Sequence, residues 1–136
     1  MKIPLRSRCL RQAFTLVEMT VVLLVILALV RIGFVSSKKM TEWKLGRGAS
    51  ETLRSVHTAQ RLYLADNPIV NVSSLTSGMI VPYLPNNVST MPTVQSLSGT
   101  NLSILVNVSP PVINAGGGVV YDPSGNSQDS LWDVGQ

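Results

Sequence analysis

The chain has 136 residues, of which 45% are hydrophobic, 13% charged and 5% aromatic. That length suits one domain at most, and the charged fraction is about half of what soluble domains carry. A mean hydropathy of +0.28 excludes disorder along the whole chain. One cysteine, Cys9, makes no internal disulfide, and one histidine leaves little for metal or nucleophilic chemistry.

The basic excess of +4 sits at the N-terminus. Lys2, Arg6, Arg8 and Arg11 lie within the first 13 residues, with no acid among them. From Phe14 onward seven basic side chains face seven acidic ones, and no Lys or Arg follows Asp66. Phosphate contacts need such cations, so no nucleic-acid partner is expected for the C-terminal half. A basic stretch before an acidic one reads either as a mildly charged surface or as head-to-stalk complementarity between copies. The mild surface is the preferred reading.

Phe14 to Val30 reads FTLVEMTVVLLVILALV, with Glu18 as its one charge. As a helix, 17 to 22 residues span roughly 26–33 Å, close to the ~30 Å hydrocarbon core of a bilayer. Arg31 stands near one end and snorkels, while the leader's cations hold the N-terminus in the cytoplasm. A secretory signal is the rival reading. The apolar run is long for one, holds a glutamate near its start and lacks an A-x-A-like site after it. A carboxylate inside a membrane is costly and marks function by default.

A basic leader ending at Ala13, then Phe14-Thr15-Leu16-Val17-Glu18, then an apolar run resembles the class III signal of type IV pilins and type II secretion pseudopilins. The resemblance implies cleavage by a prepilin peptidase between Ala13 and Phe14, and N-methylation of Phe14. It implies that Glu18 meets the freed amine of a neighbouring subunit during assembly. A buried carboxylate does need a charged partner. The family usually has Gly before the cut, where this chain has Ala13. The mature chain would hold no cysteine, which favours the pseudopilin branch over pilins closed by a disulfide.

The expected fold is α+β and pilin-like. One long helix, about 14–66, packs against a small antiparallel sheet of about three strands. Residues 1–13 form the leader, 14–35 the transmembrane and polymerisation half of the helix, 36–66 its amphipathic half, and 67–136 the head. No proline falls between Pro4 and Pro68. Ala49, Leu53, Val56, Gln60, Tyr63 and Leu64 follow helical 3–4 spacing, and Asn67-Pro68 ends the run. Gly33, Gly46 and Gly48 are its weak points, with Gly33 and Ser36-Ser37 the expected place for a bend.

In the head, Ser73-Ser74 caps a short helix to about Leu84, interrupted at Pro82. Its Leu75, Met79, Ile80, Tyr83 and Leu84 are expected on the stalk. Asn101–Val108 alternates as a strand, with Leu102, Ile104, Val106 and Val108 on one face. Val119–Tyr121 and Leu131–Val134 are further strands, Gly116-Gly117-Gly118 is a turn, and so is 122–126. Asp122, Asp129 and Asp133, with Ser124 and Asn126, offer oxygen ligands for calcium, although no EF-hand loop is matched. Major pseudopilins resemble this in binding calcium through a C-terminal loop, and a solvated turn is the alternative. His57 is assigned no role. Four N-x-S triplets follow from a chain rich in Asn and Ser.

No nucleotide, hydrolase or zinc motif is present, and an enzyme is not expected. The resemblance implies a subunit of the inner membrane with its head in the periplasm. It would assemble with itself and similar subunits, through an inner-membrane platform, into a pseudopilus for type II secretion. A type IV pilus or DNA-uptake pilin is the alternative within the family. A single-span anchored binding module that never polymerises, or a soluble domain cut near Ser36, are the readings outside it.

Overall fold

The computed structural model describes residues 15–135, without the side chain of Val35. Residues 1–14, with the expected leader, Ala13 and Phe14, lie outside the described residues. The chain divides into two units, one up to Lys38 and the other from Lys39.

Helix α1 runs from Leu16 to Asp66 without a break, 51 residues long. Proline-free sequence rich in Leu, Ala, Val, Lys and Arg permits this length. The helical hydrogen-bonding pattern continues through Gly33, Gly46 and Gly48. Ser37 Oγ donates to the Gly33 carbonyl at 3.0 Å, on a turn that keeps its helical form. The last turn is closed by Asn67, whose backbone N–H and side-chain Nδ2 both donate to the Tyr63 carbonyl.

The second unit is an α+β head built on the last half of α1. After α1 come short 3-10 turns at Val72–Ser74, Val81–Tyr83 and Pro85–Asn87, around a one-turn helix α2 at Ser77–Ile80. Strands β1 (Val94–Gln95), β2 (Asn101–Leu105), β3 (Val112–Gly116) and β4 (Val119–Val120) form an antiparallel meander in that order. Val94 faces Leu102, Ile104 faces Ile113, and Asn114 faces Val120. The Gly117-Gly118 turn joins β3 to β4, and Asn114 Oδ1 accepts from the Gly116 and Gly118 amides to fix it.

One core serves the whole unit. Ala49, Leu53, Val56 and Ala59 of α1 meet Leu75, Ile80 and Leu84 from the connecting segment and Val94, Ile104, Val106 and Ile113 from the sheet region. A head this small needs the helix as half of its core. Gln60, on the same helical face, is fully buried. Its Nε2 donates to the Val106 and Val108 carbonyls at 2.8 Å each.

Several expectations require correction. The sheet has four strands rather than three, because β1 and β3 carry little alternation. β2 stops at Leu105, since the next carbonyls are taken by Gln60 rather than by a partner strand. Val108 is accordingly exposed. Leu131–Val134 is no strand: Ser130 and Trp132 adopt positive φ, at 56° and 66°. The segment 73–84 is broken into turns rather than one helix, and Met79 is exposed while Leu75, Ile80 and Leu84 are buried.

Residues 130–134 are instead strapped to α1. The Trp132 N–H donates to the Gly46 carbonyl at 3.1 Å. Arg54 Nε donates to the Val134 carbonyl at 2.7 Å and its Nη2 to Ser130 Oγ at 3.0 Å. A Cβ on Gly46 would stand 2.8 Å from the Trp132 indole nitrogen, so glycine admits the ring there. The ring also meets Tyr121 edge to face at 5.3 Å. These contacts hold a non-glycine residue in a left-handed conformation that is otherwise unfavourable.

Candidate functional site

The first unit carries the expected membrane and assembly segment. Every described side chain from Thr15 to Lys38 is exposed. An 18-residue window of α1 reaches a mean hydropathy of 2.5, with none of it buried. The helix is therefore long and apolar enough to cross a membrane. A core helix with such a composition would be covered by its own domain, and this segment is not.

Glu18 sits in the first turn. Thr15 Oγ1 accepts from the Glu18 N–H at 3.3 Å, and the Met19 N–H donates to the Thr15 carbonyl at 3.2 Å. Thr15 is thus the N-cap and Glu18 the third helical residue, the T-x-x-E spacing of a capping box. A carboxylate there also complements the positive end of the helix dipole. These local roles exist beside the proposed pairing with a neighbouring amine. They matter for choosing a variant, because glutamine fills a capping box as glutamate does.

In the head, Asp122 and Asp133 line one cleft of about 200 Å³, together with Pro110, Val120 and Trp132. Asp129 does not line it. Asp122 Oδ1 accepts from the Ser124 N–H and Oγ at 3.0 and 2.7 Å, and Asp129 Oδ1 accepts from the Leu131 N–H at 2.9 Å. Both acids thus stabilise turns of their own loop. Among the described residues no three His, Cys, Asp or Glu side chains are placed to hold one metal ion. Neither Asp133 oxygen reaches solvent or a hydrogen-bond partner. Burial raises its pKa first of all, and Asp129 and Asp122 add to the shift. The Gly135 amide and Arg54 oppose it without a well-formed hydrogen bond.

The acidic loop thus lies against the basic helix of its own copy, where Arg54 already grips residues 130 and 134. His57 is partly buried, and burial followed by the Arg61 charge lowers its pKa. Gln60 stands in the helical 3–4 spacing, but its bonds to the Val106 and Val108 carbonyls, and the Gly46–Trp132 contact, are not features that spacing shows. A glutamine at a core position of an amphipathic helix was the available signal for the first. Nothing local marked the second. The chain matches no protein-family model, no curated protein and no solved structure.

Proposed function

We propose that the chain is a pilin-like structural subunit. A prepilin peptidase cuts it between Ala13 and Phe14 and methylates Phe14. The first part of α1 holds it in the inner membrane, head in the periplasm, until it joins similar subunits in a type II secretion pseudopilus. The observation that supports this is the division of α1. One continuous helix gives its last half to the core of a head and keeps its first half apolar and uncovered.

A bilayer satisfies that surface before assembly, and packing against other copies satisfies it afterwards. Glu18 is the exception to both, at about 2.5–3.5 kcal/mol for a carboxylate at the bilayer centre. Close to the helix start the cost is less, and the α-amine of a neighbour removes it. The subunit acts by polymerising, and no catalytic residue is assigned.

The intact mass and N-terminal sequence of the protein from membranes test the processing. A chain beginning at Phe14 with one added methyl is expected. A start at Met1 or near Ser36 overturns the reading. The assembly step is tested with Glu18→Gln, which keeps the capping chemistry and removes the charge. It should insert normally and enter filaments poorly. Normal incorporation would remove Glu18 from the mechanism.

A further inference from the structure

The geometry points to a head-to-tail contact in which Ile69 of one copy seats in the groove beside Trp43 of a second copy; the inference rests on the filament reading above. Ile69 is 98% exposed, the most exposed large hydrophobic among the described residues. It is presented on a fixed turn. The Val70 N–H donates to the Asn67 carbonyl at 3.1 Å, which places Pro68 and Ile69 at the corner of a β-turn. Asn67 is itself tied to Tyr63 through two donors. A side chain held on a closed turn loses little freedom on docking.

The groove lies at the start of the same unit. Its walls are Lys39 and Trp43 of α1 on one side and Leu97, Pro123 and Leu131 on the other. Trp43 is 52% exposed and Leu97 43%, so apolar surface is left facing water there. The volume is about 210 Å³, roughly seven water volumes at ~30 Å³ each, room for an aliphatic side chain. Charge favours this partner too. Lys39 and Glu42 both line the groove, and with Lys44 and Arg47 residues 39–47 carry three cations against one acid. Asp66 stands three residues before Ile69, and no cation follows it in the chain.

Knob and groove are separate patches. From Trp43 to Asp66 the helix rises about 35 Å. A contact between two different patches repeats along an open filament instead of closing a symmetric dimer. That is the symmetry the proposed function requires.

The test uses the full chain in membranes with Cys9→Ser, which removes the native thiol. Ile69→Cys and Leu97→Cys are introduced singly and together, then oxidised. The double variant should give a ladder of dimers, trimers and larger species, and either single variant only traces. Strong dimers from Ile69→Cys alone would mean a symmetric contact and overturn the inference. So would no cross-link in a sample whose filaments still form and still depend on Glu18, which leaves the filament reading standing. No filament and no cross-link in any variant would overturn both. Ile69→Ser is the complement. It should leave the melting temperature unchanged, because the side chain is exposed, and lower filament yield about tenfold, the scale of one buried aliphatic side chain. Unchanged yield would overturn the contact.

Discussion

The two halves of α1 have the same backbone and opposite relations to their surroundings. From Leu16 to Lys38 every described side chain is exposed, although most are Leu, Val or Ile. From Lys39 to Asp66 the helix has a buried face of Ala49, Leu53, Val56, Ala59 and Gln60, and a charged face opposite. Helix propensity does not separate them. What differs is the covering: the chain's own head covers the apolar face of the second half, while the apolar side chains of the first half stay exposed. A helix can therefore be stable as secondary structure in both halves and fold-determining in only one.

That contrast predicts a graded series. Leu53→Ala empties a fully buried site and should cost about 2–5 kcal/mol, lowering the head's Tm by about 10 °C or more in thermal unfolding. Gln60→Leu should cost about 1–3 kcal/mol, since it leaves the Val106 and Val108 carbonyls without their donor. Its own unpartnered Oε1 is removed at the same time, which moderates the loss. If Gln60→Leu is neutral, the polar bridge between helix and sheet adds nothing to stability.

Asp133→Asn tests the strap. Because the folded carboxyl has a raised pKa, the folded state binds more protons than the unfolded one between the ordinary aspartate range, near 3.9, and the raised value. Wild-type stability should therefore rise as pH falls through that window. Above it, Asp133→Asn should melt higher than wild type, and the gap should close in acid. His57 works in the opposite sense, since its lowered pKa costs stability as pH falls below about 6.5. The pH series is therefore best run with His57→Gln as a common background. Smallest of all is Leu24→Ala in the uncovered half, expected within about 0.5 kcal/mol for the unfolding of the head. A large effect there would mean that the first half does contribute to the head's fold.

Hydropathy and helical spacing were enough to read α1 and the face it buries, because both are local and periodic. The turn at Gly116–Gly118 was legible for the same reason. The sheet was read less well. Val119–Val120 was read as a strand, but β1 is two residues long and β3 follows Pro110-Pro111 without a clear alternation, so both were missed. Leu131–Val134 looked like a strand by composition, yet its backbone is set by Gly46 and Arg54 far upstream. For the candidate site, Glu18 was legible as the lone charge in an apolar run, but its place in a T-x-x-E cap appeared only with the helix start. Asp122, Asp129 and Asp133 looked like one cluster in sequence. The fold puts Asp122 and Asp133 on one cleft and leaves Asp129 in its own turn.

Arg54 and Val134 are 80 residues apart. At synthesis rates of 5–20 residues per second, roughly 4–16 s pass between the appearance of that arginine and of the carbonyl it holds. The core residues from Leu75 to Ile113 emerge within that interval, so the strap at 130–134 is the last piece of the head to arrive. The order of manufacture thus sets a delay before the head can close, and that delay is written into the distance between two residues.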